Sequence, residues 1–490
     1  MFVLSWKCGV GAKSASALRS VFVMVTFVFG LVLLVLTDSK PVYALPLHGA
    51  AVRAIPAFAR KYGLPCSACH TAWPELNNFG QVFRDNGYQL MNDHDSPIYQ
   101  DASYFPITMR ITPNWHREAS NNQAVDAVRN DGTTTRSATL AEQGFDLSGM
   151  DIWATGTLYK NISFSLLPSS DVNASFHFEN AFVRFDNLLK SRWLNLRVGK
   201  FELDNMISEK RFLFLSANGG LYQSYHFVPA GDSNTFGLGN NSLGMELAGH
   251  SVNSYTRYSV SLLTGSDGAP GIPTSHSYDV YAAFSQAFQV GKLGLERFGG
   301  FAYYGERPTY TLTSGGAPPP AGTGASVGAG VGNKPFYRVG FSGQWNFDRL
   351  EVLPFFMHAS DSVFLGTGTA ADQPLPAGAV APVWNSGFVE THEHISPQLV
   401  FTQRVELIRM SQQALPASTP SGQSNIDAYS VGYRWYPIMF SRAGLAFHNE
   451  YSITKTVGMA PLSGTGSNGL FNANGATWSN SLLAGFDFAF

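Results

Sequence analysis

From about Tyr104 to the C-terminus, apolar and polar side chains alternate with a period of two, which excludes a helical fold for most of the chain. Tyr429, Val431, Tyr433 and Trp435 share one face of such a run, and Ser430, Gly432 and Arg434 the other. Likewise Leu194, Leu196 and Val198 oppose Asn195 and Arg197, and Tyr337, Val339, Phe341 and Trp345 oppose Arg338, Ser342 and Gln344. Leu399, Phe401, Val405 and Leu407 oppose Thr402, Arg404 and Glu406. Sixteen strand-like runs can be placed, near 104–115, 144–159, 162–170, 176–186, 193–202, 242–250, 254–264, 277–289, 294–307, 334–347, 350–361, 384–393, 398–410, 426–436, 442–455 and 476–490. Every even-numbered run but the last is followed by a link of a few residues. Most odd-numbered runs are followed by a long one: 116–143, 203–241, 265–276, 308–333, 362–383, 411–425 and 456–475. The exception is the brief link after the third.

A soluble sandwich also alternates, but it has no reason to keep short turns at one end and long loops at the other. That rhythm predicts an all-β transmembrane barrel of about sixteen antiparallel strands, with fourteen or eighteen as the alternatives. An even number puts both chain ends on the periplasmic side, and Leu482, Ala484, Phe486, Phe488 and Phe490 line one face of a last strand that ends in an aromatic. Arg197, Glu246, Arg257, Arg338, Arg404, Glu406, Arg434 and Glu450 fall within strands, mostly opposite the greasy face, and are expected to point into the lumen. Charged residues are only 13% of the chain, about half of the ~25% usual for soluble domains, and nearly balanced, with 32 basic against 34 acidic side chains. A basic nucleic-acid binder is excluded. The loops 308–333, 411–425 and 456–475 carry almost no charge, a composition that suits acidic surroundings and that drift explains equally well.

The N-terminus reads as a secretory signal peptide: Lys7, Lys13 and Arg19 without an acid, an apolar run from Val21 to Leu36, and small residues flanking Tyr43 in Val42-Tyr43-Ala44. The run is shorter than the ~20 residues a spanning helix needs, so cleavage is expected after Ala44. The division is therefore 1–44 signal peptide, 45–100 a small α-helical haem domain, and 101–490 the barrel.

Of three cysteines, Cys8 leaves with that peptide. The other two stand in Cys66-Ser67-Ala68-Cys69-His70, the spacing at which two thiols add to the vinyl groups of one haem while the next imidazole ligates its iron. A zinc site lacks a fourth ligand here, and a redox dithiol has no use for the adjacent imidazole. One covalent haem c is thus expected, bound by Cys66, Cys69 and His70. Met91 is the preferred sixth ligand, with His94, His48 and Met109 as alternatives; a thioether opposite imidazole raises the reduction potential. Pro74 is expected to open a helix whose Leu76, Phe79 and Phe83 share a face, Trp73 and Tyr88 to cover the porphyrin edge, and Arg53, Arg60 and Lys61 to meet the propionates or solvent.

Phe58-Ala59-Arg60-Lys61-Tyr62-Gly63, the run Cys66 through Asn77, and Phe79-Gly80 through Asn86-Gly87-Tyr88 resemble the fused monohaem cytochrome–porin family, the outer-membrane iron oxidases, most closely the acidophile type. The sequence match covers about residues 55–90; the barrel resembles the family by layout alone, although 196–201 also looks like anion-porin strands. The resemblance implies oxidation of extracellular Fe(II), single-electron transfer through the haem, and a periplasmic blue-copper protein or soluble c-type cytochrome as acceptor, an oxidoreductase role in the cell outer membrane. It transfers no iron-substrate residue; His116 and Glu118 are surface groups that approach the ion or are merely solvated. A haem beneath the barrel could not bridge an apolar band ~25 Å tall, so the haem domain is expected to plug the lumen. A diffusion porin with a structural haem plug, and outward electron export, are the competing readings.

Overall fold

A computed structural model describes residues 56–91, 95, 97, 106–125, 136–146, 150–170, 175–205, 213–215, 222–229, 236–264, 278–308, 333–361, 382–412, 425–439, 443–457 and 476–490. The expected signal peptide, Arg53, His48, His94 and the uncharged loops lie outside these residues.

The small N-terminal part comprises α1 (Ala57–Tyr62), a 3-10 turn at Cys66–Ala68, the two-stranded bridge β1 (His70–Ala72) and β2 (Glu75–Leu76), and α2 (Asn78–Asp85). The barrel follows: β3 (Ile107–Ile111), β4 (Asn114–Val125), β5 (Arg136–Asp146), β6 (Asp151–Tyr159), β7 (Ile162–Ser170), β8 (Phe176–Phe185), β9 (Asn195–Phe201), β10 (Ser242–His250), β11 (Thr256–Thr264) and β12 (Tyr278–Val290). It continues through β13 (Gly294–Pro308), β14 (Asn333–Phe347), β15 (Leu350–Ser360), β16 (Val383–Ser396), β17 (Leu399–Gln412), β18 (Ile426–Ile438), β19 (Gly444–Val457) and β20 (Ala476–Ala489). A short helix, α3 (Gln223–His226), sits between β9 and β10.

The ladder closes on itself. β3 and β4 both pair with β20, through Ile111↔Phe488 and Asn114↔Gly485, so they form one strand interrupted at Thr112-Pro113, where proline has no N–H to give. On the other side β4 pairs with β5 and β3 with β6, which makes β5 and β6 a second interrupted strand. Eighteen segments are thereby sixteen strands, all antiparallel. This corrects the expected link 116–143: most of it is strand, because polar residues on both faces of β4 and β5 hid the alternation. His116 and Glu118 pair with Leu483 and Ser481 of β20 and belong to the wall. Phe490 and Met109 exchange backbone hydrogen bonds of 2.8 and 2.9 Å, placing the C-terminus beside the first strand at the short-turn end.

The two faces sort as their chemistry demands. Val198, Val339, Phe341, Val405, Leu407, Tyr429 and Val431 stand on the outside, where lipid meets them. Glu246, Arg257, Arg338, Arg404, Glu406, Arg434 and Glu450 are buried inside and answered by ions or amides: Arg197–Glu246 at 2.7 Å, Arg338–Asp361 at 2.6 Å, Arg434–Asp487 at 3.2 Å. A closed cylinder with an apolar outside and an ion-paired inside is an outer-membrane barrel, with no unpaired backbone edge left in lipid.

The link between β9 and β10 turns inward. Tyr222 stacks on Phe388 with centroids 4.4 Å apart, Phe236 on Tyr303 at 4.1 Å, and Phe227 packs edge-on to Trp384 at 5.2 Å. Glu406 accepts the Gln223 and Ser224 N–H groups at 3.0 and 2.7 Å, and Glu450 accepts the Leu215 N–H at 2.7 Å. These partners come from β13, β16, β17 and β19, so the described parts of the link, 213–215, 222–229 and 236–241, pack inside the bore toward its long-loop end. Its aromatic side chains form one buried cluster with the inward-facing Tyr281, Phe301, Phe336 and Phe355.

Candidate functional site

Residues 56–91 pack inside the barrel at its short-turn end. The Ser67 N–H donates to the Met439 carbonyl at 3.2 Å, Tyr436 Oη to the Trp73 carbonyl at 2.8 Å, and the Ala57 N–H to Thr108 Oγ1 at 2.8 Å. Arg60 donates to the Ile107 carbonyl at 2.9 Å, so it is a tether to the wall. Arg257 of β11 holds Asp85 through two bonds of 2.8 and 3.1 Å and reaches Asp204 at 2.9 Å. Arg184 donates to the Arg84 and Asp85 carbonyls at the end of α2. Opposite, Glu75 joins His392, whose Nδ1 lies 3.1 Å from Glu75 and 3.0 Å from Glu351.

Burial raises the Asp85 carboxyl, but Arg257 and Arg84 outweigh it and hold it below the ordinary carboxylate range. A depressed folded value contributes stability above the unfolded pKa, lost only as pH falls through the folded one, so this clamp persists into strong acid. Arg257→Ala removes the only cation hydrogen-bonded to both Asp85 and Asp204 among the described residues and leaves Arg84 as a weaker neighbour, an expected cost of up to about 3–5 kcal/mol to docking of this part. Hydrogen exchange of 56–91 should accelerate while barrel amides stay protected; unchanged exchange would refute the clamp.

Local chemistry explains how the cysteine motif is presented. α1 ends at Gly63, whose φ of +68° lets its N–H return to the Ala59 carbonyl at 3.1 Å. α2 starts at Asn78 rather than at Pro74, because the Asn77 side chain caps it, accepting the Gly80 N–H at 3.0 Å, worth about 1 kcal/mol. Pro74 instead belongs to the turn that pairs His70 with Leu76. The expected apolar face is corrected accordingly: Leu76 precedes the helix, Phe83 is buried and Phe79 points outward, 45% exposed. Asn77 also donates to the Ala68 carbonyl at 3.0 Å, while its own N–H meets the Cys69 carbonyl at 2.9 Å. Gly80 lies so close that a Cβ would stand 2.3 Å from the Cys69 oxygen; no other residue lets α2 rest on the motif.

Cys66, Cys69 and His70 line a cavity of about 390 Å³ between this inner part and the wall, within the size range of small-molecule and cofactor sites. Phe58, Leu76, Phe83 and Tyr88 from the inner part, and Trp153 and Phe182 from the wall, give it apolar sides. Tyr88 stacks on Phe58 at 5.4 Å, and Arg110 lies 5.3 Å over Trp73, which also lines the cavity. His70 Nδ1–H donates toward the Pro74 and Glu75 carbonyls, at 3.1 and 3.2 Å, which fixes the ring and leaves Nε2 as the nitrogen with a lone pair. Burial pushes this imidazole down to about 4, so it is neutral at neutral pH. Two thiols, one neutral imidazole and an apolar cradle fit a covalently attached haem. The structure does not bring Met91 into the lining of this cavity: it is 40% exposed and borders a neighbouring open groove with Lys190, Trp193 and His250, the last of which lines both. Met109 lies in β3 and is also outside the lining.

Burial also pushes both thiols up to about 11. In the docked, haem-free chain the thiolate fraction at neutral pH is therefore far below that of an exposed cysteine. Alkylation of Cys66 and Cys69 in the native haem-free protein at pH 8 should run roughly 100-fold slower than in denaturant and recover only as pH nears 11. Equal rates would show the thiols to be open to solvent.

The molecule is thus an outer-membrane barrel of the porin type whose bore holds a small cysteine-bearing domain and an inward-turned aromatic segment. No family model matches the chain, and no curated protein does. Among solved structures it is similar to an anion-selective porin from Comamonas acidovorans, with 11% identity, 78% of this chain and 98% of that one covered, and a TM-score of 0.49. It is also similar to the outer membrane channel DcaP of Acinetobacter baumannii, with 10% identity, 77% and 96% covered, and a TM-score of 0.45. A third is Pseudomonas putida OprB, with 11% identity, 78% and 94% covered, and a TM-score of 0.40.

Proposed function

We propose that this barrel is an outer-membrane cytochrome c: a haem bound through Cys66 and Cys69 and ligated by His70 takes single electrons from extracellular Fe(II) and passes them to a periplasmic blue-copper protein or soluble c-type cytochrome. The observation that carries this reading is the cavity itself, which gathers both thiols and an oriented imidazole inside the bore of a membrane barrel. The haem, when bound, supplies a one-electron couple. The protein holds that couple inside the bore at its short-turn end, excludes water with Phe58, Phe83, Trp73 and Tyr88, and orients the axial ring through the Pro74 and Glu75 carbonyls. Oxidation outside the cell also keeps ferric iron from precipitating within it.

The porin-type barrel favours a second reading, a diffusion channel with haem serving only to secure the inner domain. Anaerobic addition of Fe(II) to the purified full chain at low pH, followed optically, separates the two. Reduction of the haem supports electron uptake. A spectrum that stays oxidised, with free solute flux through reconstituted protein, gives the diffusion channel. A midpoint far below the ferric/ferrous couple points to electron export.

A further inference from the structure

We infer that the barrel wall, through His250, supplies the second axial ligand of the iron, a role that rests on the proposed haem. His250 is the last residue of β10, at the short-turn rim, and is 3% exposed. Its Nδ1 lies 2.9 Å from the Ser251 carbonyl, an acceptor that can only be met by a ring proton, so Nδ1 carries the hydrogen and Nε2 the lone pair. That Nε2 is buried and has no hydrogen-bond partner among the described residues. An orphaned acceptor inside a protein costs free energy unless something pairs with it. A neutral imidazole with its far nitrogen anchored to a backbone carbonyl is how histidine is prepared for a metal.

The same cavity supplies the second, independent argument. Among the described residues its lining contains two imidazoles, His70 on the inner domain and His250 on the wall, and no methionine. Its arginines, Arg84, Arg184, Arg197 and Arg257, are cations and poor iron ligands, and acids around them are engaged: Asp186 by Arg184, Glu246 by Arg197, and Asp85 and Asp204 by Arg257. Ligation from β10 would make the iron a cross-link between the inner domain and the barrel, so that loading with haem also locks the domain in the bore. Two imidazoles lower the potential relative to imidazole with thioether. Four guanidinium groups line the cavity, those of Arg84, Arg184, Arg197 and Arg257, but the carboxylates of Asp85, Glu202, Asp204 and Glu246 line it too, so the charge of the lining does not reverse that direction.

The test uses the haem-loaded full chain. His250→Ala should convert a low-spin absorption and paramagnetic-resonance spectrum typical of two imidazoles into a high-spin one, and added imidazole should restore it. Met91→Ala should leave the spectrum as in the wild type. His250→Met, which keeps a ligand and the bulk if the alanine variant does not insert, should raise the midpoint and bring up a thioether-to-iron band. A wild-type thioether band, or a low-spin spectrum unchanged in His250→Ala with the haem mass still on the chain, would overturn the assignment alone. Unmodified Cys66 and Cys69 in the wild type would overturn it together with the cytochrome reading.

Discussion

Serine at both Cys66 and Cys69 should abolish covalent haem completely, and with it any Fe(II)-dependent reduction, while the barrel still inserts. A hydroxyl does not form the thioether that a thiol gives with a vinyl group, and a singly attached haem is the most that one remaining cysteine could retain. Barrel closure rests on ladders remote from the motif, such as Ser479↔Ser120 through Gly485↔Asn114, and neither cysteine takes part in them. The measurement is intact mass for the haem, an optical spectrum for the couple, and resistance to protease or heat for the barrel. A haem spectrum without haem mass in the double variant would show that the cavity holds the group without thioethers. Loss of the barrel along with the haem would show that attachment is needed for assembly.

The barrel was legible because its physics is periodic. A wall that divides lipid from a polar lumen imposes alternation on every strand, and Arg338, Arg404 and Arg434 stood out as charges set between aromatic and aliphatic neighbours. The alternation failed at β4 and β5, where residues such as Ser120, Asn121 and Gln143 give no apolar face to read, so register with β20 is what reveals the strand. The thiols and His70 were legible because covalent chemistry fixes their spacing within five residues. His250 was not. It lies 180 positions from His70 in sequence, its neighbours Gly249 and Ser251 carry no motif, and only the closed bore brings β10 against the inner domain. Met91 was attractive by distance along the chain, but it is 40% exposed and is not among the residues that line the cavity. The inward segment was read as an outer loop because Tyr222, Tyr225, Phe227 and Phe236 show no strand alternation; their burial depends on aromatic partners that strands far along the chain provide.

Reconstituted in planar bilayers, the intact protein should conduct poorly for a sixteen-strand barrel, and a variant relieved of both internal obstructions should conduct on the order of tenfold more, or beyond. Sixteen strands leave an aqueous channel when nothing fills it. Here the short-turn end is filled by residues 56–91, bound to Met439, Tyr436, Arg257 and Thr108, and the bore above it is crossed by the segment around α3. Removing residues 56–91 alone leaves the Tyr222–Phe388 and Phe236–Tyr303 stacks in place, so the gain should be partial. Replacing the β9–β10 link with a short Gly/Ser turn as well should release the rest. The order of these gains distinguishes the two obstructions: a plug that alone seals the bore gives its full effect in the first variant, whereas two seals in series give most of it only in the second. Open-channel conductance in the intact, haem-loaded protein would contradict a filled lumen and return the molecule to the diffusion-porin reading. A closed intact barrel is what an electron path through an otherwise sealed membrane requires, because a pore beside the haem would admit ferric iron and protons along with the charge being moved.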